Sequence, residues 1–428
     1  MPVTIKINQN IAIFMAITLK TFLMINRELY IRQISEFVNK PFVKVITGLR
    51  RSGKSSILAL LQNELIRQGI KKSQIIYINM ESFDFSHLLD AADLHDHLKG
   101  MIKKDQRVYI FVDEIQEIRN WEKAINAFIT DYDADIYITG SNSRLLSSEL
   151  STYLTGRYVE FRILPLSFQE FLLFHKTRGK SFENTYQAFE IFLRMGGFPA
   201  LHIADYSMES AYKIVHDIYS SAILRDTVQR HNIRDVELLE RVVKYVFDNI
   251  GNKFSAKNVA DYFKSQQRKM DLNTVYNYLN ALEAAFIIYR IPRYDLKGKE
   301  ILKTQEKYFV GDPAFLYAVM GYKDRLISGI LENIVMLELK RRSYRVFVGK
   351  QGDKEIDFVA EKGDSKIYVQ VTYKLHEAST IEREFSPLAA VADNYPKFVV
   401  SMDPFWKENI GGVRHIHIAD FLLMEEWS

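Results

Sequence analysis

The stretch that decides the fold is "GLRRSGKSS", Gly48 to Ser56, which follows the apolar run "FVKVIT" and precedes "ILALLQNELI". Its spacing matches the P-loop pattern G-x-x-x-x-G-K-[ST] at Gly48, Gly53, Lys54 and Ser55. Glycines let backbone N–H groups turn toward an anion, the following helix presents its positive end, and Lys54 adds a charge near the β and γ phosphates. Because a strand and a helix flank the motif as it requires, we predict a triphosphate site rather than an accidental glycine-rich turn.

The nucleotide site has two predicted parts, the P-loop and the end of a later strand. The run "RVYIFVDEIQ" predicts a buried strand that ends at Asp113 and Glu114, in the Walker B arrangement. Asp113 is expected to help hold Mg²⁺, and Glu114 to polarise the attacking water as the catalytic residue. The predicted phosphate-binding residues are Gly48, Arg51, Ser52, Gly53, Lys54, Ser55 and Ser56, and Ser55 is also a predicted Mg²⁺ ligand.

The strand pattern predicts the fold class. "QIIYINM", "RVYIFVDEIQ" and "ADIYITGSNS" are short runs rich in Ile, Val and Tyr, separated by stretches long enough for crossover helices. Such alternation indicates an α/β fold with a parallel sheet covered on both faces, whose ligands lie at the carboxyl ends of the strands. Asn142 follows the third run, where it either senses the γ phosphate or caps a helix over "SRLLSSEL".

An arginine precedes a further strand in "LTGRYVEFRILPLSFQEF". Arg157, supplied by a neighbouring subunit or by a closing domain, is a candidate to neutralise charge that develops during phosphoryl transfer. The alternative is an ordinary surface arginine. Action across subunits would require a homo-oligomer.

Composition sets the broader limits. A chain of 428 residues with 47% hydrophobic and 26% charged residues predicts two or three globular domains. The net charge of +4 permits contact with nucleic acid without arguing for it. The lack of cysteine excludes disulfides and thiolate metal sites and favours the cytoplasm. The apolar N-terminal stretch is too short for a clean membrane span, so we predict that residues 1–23 are a non-native extension before Met24.

These segments together resemble a known family, the bacterial and archaeal P-loop ATPases of the AAA+ and signal-transduction ATPase group that carry a C-terminal nuclease-like domain. The resemblance rests on "ITGLRRSGKSS", "VDEIQEIRNWEKA", "GGFPA" and "AILRDTVQRHNIRD", as well as on the "ITGSNSRLLSSELSTYLTGRYVEFRILPLSFQEF" region. It implies an ATPase domain over residues 24–200, closed by a tight turn at "GGFPA". It also implies the nucleotide roles given above for Lys54, Ser55, Asp113, Glu114 and Asn142.

The middle of the chain predicts a helical lid followed by a winged helix. Residues 201–250 show helical spacing and include Arg225 and Asp226, either a nucleotide sensor or a surface pair. Over 251–310, Ser255 and Asn273 are expected to cap two helices before the strand "AFIIYRI" and the basic turn "DLKGK". This layout suits nucleic-acid contact or simple packing. Its candidate phosphate contacts are Lys264, Arg268, Lys269, Lys297 and Lys299.

Residues 311–428 have the layout of restriction-endonuclease-like α/β domains, written PD-(D/E)xK. The candidate metal ligands are Glu332, Asp357 and Gln370, and a two-residue turn at "GD" would place Asp357 opposite Gln370. Thr372 stands where such nucleases carry lysine, and Lys374 is roughly 6.6 Å farther along the strand. We therefore expect a degenerate site that cleaves no DNA.

The leading functional hypothesis is a Mg²⁺-dependent ATPase whose hydrolysis moves the lid, acting on or binding nucleic acid. Three alternatives stay open: a slow-turnover signalling switch, a small-molecule kinase, and an ATP-dependent metal nuclease. The Asp113–Glu114 pair favours water over another phosphoryl acceptor. The expected cofactors are ATP and Mg²⁺, with no membrane partner.

Overall fold

A computed structural model describes residues 25–103, 106–143, 154–265, 271–404 and 409–427. The predicted extension 1–23, Arg268, Lys269 and most of "SRLLSSEL" lie outside the described residues. Within the described ranges, no helix is long and apolar enough to cross a membrane.

The first sheet is parallel and has the strand order β2-β3-β4-β1-β5. Its strands are β1 Val43–Thr47, β2 Ile75–Asn79, β3 Val108–Asp113, β4 Ala134–Gly140 and β5 Tyr158–Arg162. The runs predicted as strands are therefore confirmed as β2, β3 and β4. Since β1 lies between β4 and β5, the P-loop that follows β1 opens at the same edge as the ends of β3 and β4.

Helices cover both faces of this sheet, as the predicted fold class requires. They are α1 Glu28–Ser35, α2 Lys54–Arg67, α3 Ala91–Met101 and α4 Trp121–Asp131. Along β3, Ile110 and Val112 pack with α3 and α4, whereas Tyr109 and Phe111 pack into a second cluster with α1 and α2. Burial of each such side chain contributes about 1.5–3 kcal/mol, which explains why the strand carries only aliphatic and aromatic residues before Asp113.

A helical region connects the two sheets. It comprises α5 Phe168–Thr177, α6 Thr185–Met195, α7 Met208–Ser221, a π-helical segment Ala222–Gln229 and α8 Val236–Asp248. The predicted tight turn at "GGFPA" is present. Gly196 ends α6 with φ 69°, and a Cβ there would collide with Asp312, so a side chain is excluded.

Two further helices and a hairpin follow, α9 Ala256–Ser265, α10 Leu272–Ala284, β6 Ile288–Asp295 and β7 Glu300–Val310. Ser255 caps α9, as expected, by accepting from the N–H of Asn258 at 3.1 Å. The expected cap at Asn273 is wrong. Asp271 caps α10 instead, accepting from the N–H of Thr274 at 2.9 Å, because a carboxylate placed three residues earlier reaches that donor.

The second sheet is mixed and has the order β12-β13-β11-β10-β9-β8-β6-β7. Its remaining strands are β8 Arg345–Gln351, β9 Lys354–Lys362, β10 Ser365–Val371, β11 Lys397–Ser401, β12 Asn409–Ile410 and β13 Val413–His417. The β6–β7 hairpin is thus one edge of this sheet rather than a free wing. The helices of this part are α11 Ala314–Met320, α12 Ile327–Arg341, α13 Ala378–Ala389 and α14 Ile418–Leu423.

The register of the β9–β10 hairpin agrees with the turn predicted at "GD". Ser365 pairs with Lys362 and Val369 with Phe358, which brings Asp357 beside Gln370. The two sheets also share contacts, since one buried cluster runs from Leu49 of the P-loop to Trp427. The P-loop region therefore packs directly into the helical region and the second sheet.

Candidate nucleotide site and a second buried cluster

The P-loop turns sharply between β1 and α2. Gly48 has φ 144°, and a Cβ there would lie 2.1 Å from the carbonyl oxygen of Ile163, so only glycine fits. Gly53 has φ 99° and is the N-terminal cap of α2, which begins at Lys54. The loop therefore directs the positive end of a 14-residue helix into the concavity.

The P-loop side chains differ in exposure. Ser52 is buried and its hydroxyl has no hydrogen-bond partner among the described residues, whereas Arg51, Ser55 and Ser56 are exposed. Lys54 is buried, and its Nζ donates to the carbonyl oxygens of Gly48 at 3.2 Å and Leu49 at 3.4 Å.

The Walker B pair lies opposite Lys54. The Glu114 carboxylate is 3.7 Å from the Lys54 ammonium. Asp113 accepts a hydrogen bond from Thr139 at the end of the neighbouring strand and also interacts with the Ser55 hydroxyl. Four of the predicted site residues therefore converge, and Ser55 and Asp113 meet as two ligands of one Mg²⁺ would have to.

The two carboxyl groups titrate differently. Burial raises the pKa of Asp113, although hydrogen bonds from Ser55 and Thr139 oppose this rise. Burial also acts to raise the pKa of Glu114, but Lys54 and the Gln116 side chain more than offset it, so that this pKa falls below its usual value. Glu114 is therefore a carboxylate at neutral pH, as a general base must be.

These residues fit a nucleotide and its magnesium ion. The glycine backbone turns without side chains of its own at Gly48 and Gly53, and the unpartnered Ser52 hydroxyl and the Lys54 ammonium group belong to the same loop. No group of three or more His, Asp or Glu side chains suited to a metal occurs in the described ranges. This agrees with a Mg²⁺ ion that takes one or two protein oxygens and completes its shell with phosphate and water.

Asn142 is buried at the end of β4, and its side chain faces the helical region. Its amide donates to the backbone carbonyl of Asp226 at 3.1 Å, and Ser141 donates to the Asp226 carboxylate at 2.7 Å. Burial raises the pKa of Asp226, opposed by Ser141 and by two arginines. These are Arg50 of the P-loop, 3.9 Å away, and Arg230, 3.6 Å away.

Arg157 lies apart from the nucleotide site. It precedes β5, which runs parallel to β1 with Val43 opposite Tyr158 and Thr47 opposite Arg162. Arg157 is thus at the amino edge of the sheet, about 16 Å from the P-loop edge along the strand. Its guanidinium donates to Asn126 at 3.2 Å. Arg162, which pairs with Thr47, lies instead at the edge of the sheet formed by the carboxyl ends of the strands, next to the P-loop, which we call the nucleotide edge.

Two of the three predicted residues of the C-terminal part, Glu332 and Asp357, meet around a lysine that sequence reasoning missed. The Nζ of Lys307, on β7, lies 3.0 Å from Glu332, 3.0 Å from Asp357 and 3.1 Å from Glu355. Lys307 is 3% exposed. Although burial acts to lower its pKa, these carboxylates hold the pKa of Lys307 well above its usual value.

Gln370 is adjacent but turned away from this cluster. Its side-chain oxygen accepts from the backbone N–H of Asp357 at 3.2 Å. The second oxygen of Asp357 accepts from the N–H of Val371 at 2.9 Å.

Burial and the neighbouring Asp357 raise the pKa of Glu332 to about 8. The Lys307 ammonium and the raised pKa of Glu332 therefore reduce the negative charge of the cluster, whereas Glu355 has a lowered pKa because Lys307 and Lys253 outweigh its burial.

Comparison with known families divides the chain into two matched segments. The family described as AAA domain (AAA_14) matches residues 40–172, which include the P-loop and the Walker B strand. A domain of unknown function (DUF8612) matches residues 186–326, from the helical region to the start of the second sheet's helices. The Walker-type ATPase PABY2304 of Pyrococcus abyssi shares the fold, with a TM-score of 0.50 at 15% identity over 69% of this chain and 96% of that one.

Two relatives extend the similarity over most of the chain. An uncharacterized protein of Haemophilus influenzae is 38% identical over 403 residues, covering 94% of this chain and 99% of the relative. The uncharacterized protein MJ1544 of Methanocaldococcus jannaschii is 32% identical over 373 residues, covering 84% and 80% of the two chains. The chain therefore belongs to the same family as these two proteins and carries a P-loop AAA domain of the ATPase type.

Proposed function

We propose that the protein binds ATP with Mg²⁺ at the P-loop and hydrolyses it to move the helical region. The convergence of Lys54, Ser55, Asp113 and Glu114 at one edge of the sheet carries this proposal. The P-loop amides and Lys54 hold the phosphates, while Ser55 and Asp113 bind Mg²⁺. Bound Mg²⁺ would neutralise charge on the phosphates, and Glu114 orients and deprotonates the attacking water.

The Lys54–Glu114 contact implies that ATP binds before Glu114 acts as a base. While the two groups are 3.7 Å apart, the ammonium holds the carboxylate in place. A triphosphate offers Lys54 a stronger anionic partner than one carboxylate. Lys54 then turns to the phosphates and frees Glu114 for water, so the base becomes available when substrate is bound.

Movement of the helical region is proposed to start at Asp226. This residue lies in the π-helical segment and receives bonds from both residues that follow β4. Arg50 of the P-loop is near both Asp226 and Glu81. A γ phosphate that attracts Arg50 or Asn142 would weaken their contacts with Asp226 and release the segment, which is the sensing role proposed for Asn142.

Nucleic acid is the proposed target. Helix α10 exposes Asn273, Tyr276, Asn277 and Asn280 along one face, at the spacing of a recognition helix. Lys264, Lys297 and Lys299 are exposed near this helix and on the hairpin turn, where they can contact phosphates. We accordingly assign residues 251–310 to a winged helix whose wing is continuous with the second sheet.

The second sheet with α12 is proposed to be a restriction-endonuclease-like domain that does not cleave. The Lys307 ammonium lies between Glu332 and Asp357, where a nuclease would need a metal ion. Gln370 makes a backbone contact instead of presenting its oxygen to the cluster. Incubation of plasmid DNA with Mg²⁺ or Mn²⁺, with and without ATP, should leave it intact, and cleavage lost in Asp357→Ala would contradict this assignment.

Steady-state phosphate release is the test of the ATPase proposal. Glu114→Gln should lower turnover at least about 100-fold while ATP still binds, because only the base is lost. Glu64→Gln is the matched control, since Glu64 lies on α2 ten residues after Lys54 and bonds only to Arg67 and Gln68 among the described residues. Equal turnover in the parent and Glu114→Gln would refute the mechanism.

The same assay separates the alternatives. A signalling switch would bind ATP tightly but release phosphate in few turnovers, with or without added nucleic acid. A kinase would transfer the phosphate to an acceptor instead of releasing it. Stimulation of the parent's turnover by single- or double-stranded DNA or by RNA would identify the nucleic-acid target.

A further inference from the structure

A cavity of about 280 Å³ opens where the AAA domain, α10 and α12 meet. Ser143, directly after Asn142, contributes to its rim, and Arg162 reaches it from the nucleotide edge of β5. Phe286 and Tyr289 provide aromatic walls, and Lys340 comes from α12. The volume is close to the lower end of small-molecule sites, which are about 300–1,000 Å³.

The charged groups around this cavity do not balance. Arg162, Arg290 and Lys340 line it against a single lining carboxylate, Glu283, and outside the lining Glu160 pairs with Arg162 at 3.3 Å, so three cations face two carboxylates. Glu283 is 3.4 Å from Arg290, and burial raises its pKa, which further weakens the negative charge. The cavity therefore has an excess of positive charge.

Lys340 is the lining cation that has no ion pair at contact distance among the described residues, although the more distant charge of Glu283 acts on it. Its ammonium lies over the Tyr289 ring at 5.8 Å from the centroid, and it has no ion pair or side-chain hydrogen bond among the described residues. Burial lowers the pKa of Lys340 to about 8. An ammonium group that loses water without gaining an anion is costly, and an anionic ligand would remove that cost.

Tyr289 supplies a second unsatisfied group. Its side chain is 4% exposed, and its hydroxyl has no hydrogen-bond partner in the described part of the chain. Burial raises the pKa of this phenol, and Arg162 is the nearby cation that most opposes the rise, so the hydroxyl lies in the field of a cavity residue. The hydroxyl is shielded from solvent, so Tyr289 contributes its ring rather than its hydroxyl to the cavity lining.

We propose that this cavity binds a phosphate group, held by Lys340, Arg290 and Arg162. Arginine forks and a lysine ammonium are the groups that bind phosphate oxygens in proteins. The site is separate from the P-loop, and the phosphate comes either from a small phosphorylated molecule or from the end of a nucleic-acid strand. Its position beside Ser143 places such a ligand next to the strand end that carries Asn142.

Calorimetric titration of inorganic phosphate into the Lys54→Ala protein tests the proposal, because this background weakens phosphate binding at the P-loop. Lys340→Met and Arg290→Gln should each weaken binding about tenfold, equivalent to about 1.4 kcal/mol. Lys362→Met is the matched control, since Lys362 is exposed and lies 5.7 Å from the Tyr344 ring. This control should bind phosphate as the background does.

Urea unfolding of Lys340→Met keeps the test independent of folding. This variant loses an ammonium group that burial disfavours, so it should be as stable as the background or more so, yet bind phosphate about tenfold more weakly. Hexanucleotides with and without a 5′ phosphate distinguish the sources: binding only with the 5′ phosphate, weakened by Lys340→Met, identifies a strand end. Absence of phosphate binding, or equal affinity in Lys340→Met, Arg290→Gln and the background, would overturn the proposal.

Discussion

Removal of the Lys307 ammonium should destabilise the second sheet strongly. Lys307→Met keeps most of the side-chain volume but leaves Glu332, Glu355 and Asp357 without the cation that lies 3.0–3.1 Å from each. One such pair at 3 Å is worth about 5 kcal/mol at an effective dielectric constant near 20, before desolvation is subtracted. Loss of one partner from a buried ionic cluster costs about 3–5 kcal/mol, and we expect a loss in this range at pH 7.

The pH dependence of this destabilisation shows whether the buried carboxyl groups cause it. Without Lys307, the pKa of Glu332 should rise further in the folded state, and Glu355 should lose the interaction that most lowers its pKa. A carboxyl whose folded pKa lies above its unfolded value stabilises the fold fully at low pH and loses that contribution as pH rises. Since the pKa of Glu332 is already raised to about 8 in the parent, the stability difference between parent and variant should grow from pH 5 to pH 9.

Urea unfolding at pH 5, 7 and 9 measures this difference, and hydrogen exchange of β7 and β9 locates it. Lys350→Met is the matched control, because the Lys350 side chain is 39% exposed and its pair with Asp295, 3.6 Å away, is screened by solvent. A Lys307→Met protein within 1 kcal/mol of the parent at pH 7 and 9 would refute the reasoning. So would stabilisation of the parent by Mn²⁺, since the ammonium would then not fill the cation position.

Three further predictions concern the rest of the chain. Asp226→Ala should lower ATP turnover with little change in ATP affinity, because the bond from Ser141 is lost; unchanged turnover would separate the π-helical segment from catalysis. Burial raises the pKa of Asp312 to about 7, so the parent should lose up to about 4 kcal/mol of stability between pH 4 and pH 7, and Asp312→Asn should flatten this slope in urea unfolding. Arg157→Ala should leave turnover unchanged in dilute protein and lower it only at concentrations where copies associate, and a loss at every concentration would exclude action across subunits.

The nucleotide edge could be predicted because its residues are close in sequence to strong local signals. The P-loop motif fixes the backbone between β1 and α2, and the apolar run of β3 fixes where Asp113 and Glu114 emerge. Parallel strands then bring the two ends to the same edge. The β9–β10 register was predictable for the same reason, since a two-residue turn determines every pair that follows it.

Arg157 shows the limit of this reasoning. Sequence places it beside a strand but does not say which end of the strand faces the nucleotide. The parallel pairing of β5 with β1 shows that the carboxyl end of β5 faces the P-loop, and this end carries Arg162, five residues after Arg157. A sequence reader could have used the rule that ligands lie at carboxyl ends of strands to prefer Arg162, once β5 was assigned to the same sheet.

Local reasoning could not decide the role of Asp226 or find that of Lys307 because their partners are far away in the sequence. Asp226 is 85 residues from Ser141, and Lys307 is 25 and 50 residues from Glu332 and Asp357. Asp226 was predicted as either a sensor or a surface residue, and its burial excludes the surface alternative, whereas Lys307 has no motif. The burial of each charged residue is set by packing between parts of the chain. The nearest signal for Lys307 was a lysine within the apolar end of β7, which is unusual for a buried strand.

The location of Lys307 has a structural consequence beyond charge balance. β7 belongs to the hairpin that follows α10, whereas Glu332 lies on α12 and Asp357 on β9. A Cβ on Gly251, just after α8, would lie 3.1 Å from Glu332, so the end of the helical region closes over the same cluster. One buried ammonium therefore joins the hairpin, α12 and β9 beneath the helical region. A metal ion held by Glu332 and Asp357 alone would bind α12 to β9 but would make no contact with the hairpin.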